Sequence, residues 1–201
     1  MPKITGSSMA EHREDVSQRL LAAFDALLAE RGYEQLTLRD VAEHAEVSRS
    51  SIYNYHRDKH ALLLAWSQHR VDQYLRLLDR ELADSDDPSE NLRTVVVTVL
   101  SEFAVASSNA RNLAAALPPA QRAALMDHIT PLRDRLRDIL RRGSASGVFR
   151  DDPDPDTAAD MILACLDTQR LILADGGELA AAVRRVWPFI THGITRPDHR
   201  E

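Results

Sequence analysis

The stretch from Thr37 to Lys59, TLRDVAEHAEVSRSSIYNYHRDK, constrains this 201-residue chain more than any other. It reads as two short helices joined by a tight turn. Thr37 can cap the first, because its hydroxyl can accept the amide of Asp40, whose carboxylate reaches back to Thr37. Leu38, Val41, Ala42 and Ala45 recur at three- and four-residue steps and give one buried face. Glu46 and Val47 form the turn, and Ser48 caps a second helix from Arg49 to about Tyr55. Ile52 is the only strongly apolar residue in that second helix; Arg49, Ser50, Ser51, Tyr53, Asn54 and Tyr55 are donors and acceptors of varied reach.

A helix with one apolar anchor and such a face does not owe its composition to a core. It has the make-up of a helix laid into a DNA major groove, where base edges offer hydrogen bonds and phosphates flank them. A solvated surface helix in a bundle has a similar composition, and on these residues alone both readings stand.

A longer pattern separates them. The order Gly32-Tyr33, Leu36-Thr37, Val41-Ala42, Val47-Ser48, Ile52-Tyr53-Asn54-Tyr55 and Lys59 with Leu62-Leu63 resembles the DNA-binding half of the TetR family. The resemblance covers roughly Val16 to Trp66, many positions in fixed spacing. Two positions depart from it: Glu46 stands where the family usually has Gly in the turn, and His56 where it usually has an aromatic. The first departure asks Glu46 to adopt a left-handed backbone.

The charge balance narrows the nucleic-acid reading. The chain has 25 basic and 31 acidic residues, a net charge of −6 and a pI of about 5.7. That excludes a generic polyanion binder but not a sequence-specific one, for which the local face counts. From Val47 to Arg70 the charges are Arg49, Arg57, Lys59 and Arg70 against Asp58, so the basic surface is narrow. A lone Cys165 excludes an internal disulfide, and no signal peptide or membrane span is visible, which points to a cytoplasmic protein.

The rest of the chain reads as helix. Met1 to Ala10 is expected to be a disordered tail, followed by a helix from Glu11 to Arg31 with Val16, Leu20, Phe24, Leu27 and Leu28 on one face. Asp58 can cap a long helix to about Ala83, roughly 35 Å at the helical rise and a plausible lever between two domains. ADSDDP, Ala83 to Pro88, is the clearest boundary; Asp87, Pro88 and Glu90 then open a helix through VVVTV to Phe103. Ser107 to Asn112 loosens the pattern before a short helix, and Leu117-Pro118-Pro119 breaks it. An amphipathic helix is expected from Ala120 to Arg142, its outer arginines interleaved with Asp134 and Asp138 as a solvated, salt-bridged face. Gly143 to Pro155 is a loop, and its GSASG has Ala145 where a nucleophilic serine would be needed. Helices from about Asp154 to Ala174 and from Glu178 to His192 complete the chain, the last containing Pro188.

The expected fold is all-α, and the resemblance divides it into an N-terminal three-helix helix-turn-helix domain in residues 1–57, a connecting helix in 58–84, and a C-terminal helical ligand-binding and dimerisation domain in 85–201. The last two helices are apolar on two sides, with Ile162, Leu166 and Leu173 opposite Met161, Cys165 and Ile172. Two buried faces need two neighbours, and a second copy of the chain is the economical one.

The resemblance implies a homodimer, paired through the last two helices, on a palindromic double-stranded DNA operator. Carried over by position, Arg49, Ser51 and Tyr53 would read bases, with Arg39 near the groove edge. Thr37, Ser48, Tyr55 and Lys59 would hold phosphates, with Asn54 on the same face. It also implies a small-molecule inducer in the C-terminal domain, for which Phe103, Asn109, Met126, His128, Cys165 and Thr168 are wall candidates. No cofactor is implied, and no nucleophile-and-base set points to an enzyme. His56 and His60, at i and i+4, could bind zinc but lack a third ligand at a usable interval. The competing class is an all-α ligand-binding or structural dimer without DNA affinity.

Overall fold

The computed structural model describes residues 6–105 and 117–196. Among them the chain forms ten helices and no strand: α1 Gly6–Arg31, α2 Leu38–His44, α3 Arg49–Ile52, α4 Lys59–Leu82, α5 Pro88–Val105, α6 Pro119–Asp127, α7 Thr130–Ala145, α8 Pro155–Asp167, α9 Arg170–Ala174 and α10 Leu179–Ile194. They fall into two compact units, 6–69 with 117–125 and 70–105 with 126–196. Asn109 and the loosened segment after Val105 lie outside the described residues.

In the first unit the apolar stripe of α1 is buried at Val16, Leu20, Phe24, Leu27 and Leu28. Leu38, Val41 and Ala42 of α2 and Ile52 of α3 are buried too, as are Leu62 and Leu63 of α4; Tyr33 and Leu36 fill the corner between α1 and α2. Helix α1 starts at Gly6, five residues before the expected Glu11. No proline or β-branched residue stands between Gly6 and Glu11 to stop the helix from propagating backwards.

In the second unit α5 is central and packs against α7, α8, α9 and α10. Leu92, Val95, Val96, Val99 and Leu100 of α5 are buried against Leu136, Ile139 and Leu140 of α7, Ile162 and Leu166 of α8, and Val186 and Ile190 of α10. VVVTV is helical here, since both faces of α5 find apolar neighbours. Its start differs in one detail: Ser85 Oγ accepts the Asp87 amide at 3.2 Å and donates to Glu90, so Ser85 takes the place expected of the Glu90 carboxylate.

Three expected elements are divided or shifted. The helix expected over 120–142 is two, α6 and α7, broken at His128-Ile129; Pro131 at the start of α7 has no N–H to continue the α6 ladder. Helix α7 then runs on to Ala145, past the expected stop at Arg142, because Gly143 is covered by the Phe149 ring and its carbonyl accepts the Phe149 amide at 3.0 Å. The helix expected from Asp154 to Ala174 turns at Thr168-Gln169, where the Gln169 side chain is buried and its Oε1 accepts from Arg185 at 3.1 Å. The outer arginines of α7 are ion-paired, though largely to other helices: Arg133 with Asp160 of α8, Arg135 with Asp79 of α4, and Arg137 with both Asp134 and Asp156.

Candidate nucleic-acid interface

Helix α2 begins with a reciprocal cap. The Asp40 amide donates to Thr37 Oγ1 at 3.2 Å, and the Asp40 carboxylate accepts from the Thr37 amide and hydroxyl at 3.0 and 2.6 Å. Those bonds hold the Asp40 carboxyl below its usual range. Between α2 and α3 the chain reverses at Glu46, which has φ 54°. The Val47 amide then closes back on Ala42 O at 2.8 Å, a left-handed helix stop made by glutamate instead of glycine. Arg19 of α1 clasps the same corner, donating from Nη1 to Ala45 O at 3.2 Å.

Helix α3 is shorter than expected. It ends at Ile52, and Tyr53 to Tyr55 continue as tight turns in which Asn54 and Tyr55 donate to carbonyls three residues back. Ser48 caps it: Oγ accepts the Ser51 amide at 3.1 Å and lies 2.7 Å from Ser51 Oγ and 3.1 Å from Ser50 Oγ. Ile52 is fully buried, which fixes the roll of the helix. The opposite side is then committed to solvent: Arg49, Ser50 and Asn54 are exposed, Ser51 and Tyr55 are half-buried, and Tyr53 is 54% exposed. Arg39 and Thr37 are exposed at the start of α2.

A groove of about 470 Å³ runs between the N-terminal half of α1 and the α2–α3 corner. It brings together Ser48, Ser51, Asn54 and Tyr55, with Arg13, Arg19 and Glu46 on its other walls. Arg49, Tyr53, Arg39 and Thr37 are not among its lining residues. The contribution of α1 left no trace in the sequence pattern, since Arg13 and Arg19 are two polar residues on the outer side of an amphipathic helix.

Lys59 sits differently from a free surface cation. Its Nζ donates to Tyr33 O at 3.0 Å and to Glu34 O at 3.4 Å, and stands 4.4 Å from the Tyr33 ring centroid. Tyr33 is itself hydrogen-bonded to His60 Nδ1 at 2.7 Å, and its phenol is pushed up to about 12 by burial, with Glu34 and Asp58 adding to it. Asp58 caps α4 by accepting the Ala61 amide at 2.7 Å, which lowers its carboxyl below the usual range. His56 is buried with Nε2 unpartnered, and that burial lowers its imidazole below the ordinary value. Among the described residues no three His, Cys, Asp or Glu side chains gather as a metal site.

The candidates for a small-molecule wall are more scattered. Phe103 and Cys165 are half-buried at the edge of the second core, and burial raises the Cys165 thiol. Thr168 is exposed and donates its hydroxyl to Cys165 O at 2.6 Å. His128 is half-buried, its imidazole lowered mainly by burial. The side chain of Met126, like Asn109, lies outside the described residues. A groove of about 290 Å³ between α4 and α5 is lined by other residues, Leu77, Arg93 and Thr98 among them.

Residues 20–66 match the family model of bacterial regulatory proteins of the tetR family, and residues 85–170 match a tetracyclin repressor-like C-terminal domain. The transcriptional regulator AcuR of Cereibacter sphaeroides is 30% identical over 153 residues, 71% of this chain and 69% of that protein. The chain belongs to the TetR family. As a TetR-family protein it is a ligand-responsive, DNA-binding transcriptional regulator. A regulatory protein TetR from Rhodobacter sphaeroides shares the fold with a TM-score of 0.64 and 26% identity, covering 84% of this chain and 95% of that one. FadR from Bacillus subtilis, solved in complex with stearoyl-CoA, superposes with a TM-score of 0.76 at 20% identity, over 86% and 96% of the two chains, a likeness of fold. No helix among the described residues of this TetR-family chain is long and apolar enough to cross a membrane.

Proposed function

We propose that this regulator is a homodimeric repressor that leaves a palindromic operator when a small molecule binds its C-terminal helices. The observation that carries the DNA-binding assignment is α3: its one apolar residue is buried and Arg49, Tyr53 and Asn54 face outward from it. Arg49, Ser51 and Tyr53 read base edges, Arg49 by a bidentate contact to guanine worth about 1–3 kcal/mol of discrimination, with Arg39 at the groove edge. Thr37, Ser48, Asn54, Tyr55 and Lys59 hold the sugar–phosphate strands. Two N–H groups of Lys59 are engaged by carbonyls, so one remains for a phosphate while the other two keep the α1–α2 corner in place.

The dimer forms through α8, α9 and α10. Ile162, Leu166 and Leu173 are buried within the chain, while Met161, Ile172 and Phe189 are exposed, Phe189 at 73%. A second copy covers that apolar face and sets the two α3 helices about 34–36 Å apart, one turn of duplex. The inducer site lies among the C-terminal helices, with Phe103, His128, Cys165 and Thr168 as its candidate residues, and takes a mostly apolar ligand; the further candidates Asn109 and Met126 are judged from the sequence alone. The ligand acts only through its differential affinity for the DNA-spacing and released states of the dimer.

Selection of duplexes from a random-sequence pool tests the operator reading. A twofold-symmetric consensus is expected, and Arg49→Ala should relax one position in each half-site. A protein that enriches no sequence, or an Arg49→Ala variant with an unchanged consensus, would overturn the assignment. Compounds that release the enriched duplex then identify the inducer.

A further inference from the structure

The cations of the first unit differ in how far their charge is already engaged. Arg19 is paired with Asp15, Arg31 with Glu30 and Arg57 with Asp58, and Lys59 is held by two carbonyls. Arg13, Arg39 and Arg49 make no ion pair among the described residues. Arg39 and Arg49 belong to the helix-turn-helix itself; Arg13 belongs to α1. Its guanidinium carbon stands 5.9 Å from the centroid of the Tyr55 ring, within cation–π range. The same two residues line the groove of about 470 Å³ on one side and a second of about 330 Å³, with Glu14, Ser17 and His56, on the other.

We infer that Arg13 is a further DNA-backbone contact, held in place by the Tyr55 ring, and that the groove between α1 and the α2–α3 corner receives one sugar–phosphate strand. The groove has the chemistry for that occupant. Ser48, Ser51, Asn54 and Tyr55 offer hydroxyl and amide groups along one wall, and Arg13 supplies the unpaired positive charge on the other. Glu46 is the one acidic lining residue, against Arg13 and Arg19. A long, flexible arginine on a helix surface costs rotamer entropy to immobilise. An aromatic face beneath its guanidinium reduces that cost, because the planar group stacks while its N–H edges stay free for phosphate oxygens. Tyr55 then acts as a platform for the charge, and the assignment rests on the DNA-binding reading of α3.

The test uses the full-length protein, the duplex enriched from a random pool and an unrelated duplex, across a salt series. Arg13→Gln should weaken both duplexes by the same factor and lower the slope of log affinity against log salt by about 1 for each protomer on DNA. Tyr55→Phe keeps the ring and should keep the wild-type salt slope, the lost hydroxyl lowering affinity alone; Tyr55→Leu should lower the slope as Arg13→Gln does, and the double variant should lower it no further. A wild-type slope in Arg13→Gln, alongside relaxed specificity in Arg49→Ala, overturns this inference and leaves the α3 assignment standing. A Tyr55→Phe salt slope as low as that of Tyr55→Leu overturns the platform role, since the effect would then follow the phenol and not the ring. A wild-type protein that binds neither duplex overturns both.

Discussion

Glu46 offers the sharpest test of how the helix-turn-helix corner is made. Its φ of 54° places an L-residue in the left-handed region, at a cost of roughly 1–2 kcal/mol relative to the right-handed helix. Glycine removes that cost but loses more backbone freedom on folding, roughly 0.5–1 kcal/mol. The Glu46 side chain is exposed, so no core packing is lost. Glu46→Gly should therefore stabilise the protein by about 0.5–1 kcal/mol, a rise in Tm of about 1–4 °C for a chain this long. Glu46→Ala is the control: it removes the same carboxylate but keeps a Cβ, so it should leave Tm nearly unchanged. Urea and thermal unfolding of the two variants, with m-values compared, decide between backbone and charge. Equal stabilisation by alanine and glycine would refute the backbone account. DNA affinity separates the effects again, since both variants delete the acidic group from the groove beside Arg13 and should bind more tightly to a similar degree.

Three further outcomes follow from the packing. A Cβ on Gly143 would lie 2.0 Å from Cδ2 of Phe149, so Gly143→Ala should destabilise the second unit by about 1–3 kcal/mol, read as a lower urea midpoint; an unchanged midpoint would mean the ring moves freely. His56 is neutral in the fold because burial lowers its pKa, whereas the unfolded chain takes up a proton as pH falls through about 6.5. Stability is therefore lost from that value downward, and His56→Phe should flatten the decline in Tm between about pH 7 and about pH 5. A variant with the wild-type pH profile would assign the decline to other groups. Phe189→Glu puts a charge on the exposed face of α10 and should yield monomers by sedimentation, with helical content retained; an unchanged dimer would place the interface elsewhere.

Features decided within four or five residues were legible in the sequence. The caps at Thr37, Ser48 and Asp58 each join a side chain to an amide three residues on. The left-handed turn at Glu46 followed from the missing glycine, and Ile52 as the sole anchor of α3 followed from its neighbours. Longer-range choices were not legible. The break between α6 and α7 needed Pro131 weighed against a continuing amphipathic pattern, and the turn at Thr168-Gln169 is fixed by Arg185, sixteen positions away. The candidate site divides in the same way. The outward residues of α3 could be named from composition, whereas the commitment of Lys59 to Tyr33 and Glu34 and the approach of Arg13 to Tyr55 join residues distant in the chain.

The sequence by itself determined an all-helical chain, the capped corner between α2 and α3, and a recognition segment too poor in apolar groups to be interior. Helical periodicity and capping are local, so each stretch carries its own instructions. Tertiary structure alone decided which cations stay unpaired, which apolar face of α8 to α10 is left uncovered, and where α7 stops beneath Phe149. Those outcomes depend on which distant side chain arrives first at a given carboxylate, carbonyl or cavity, and no short window of sequence contains both partners.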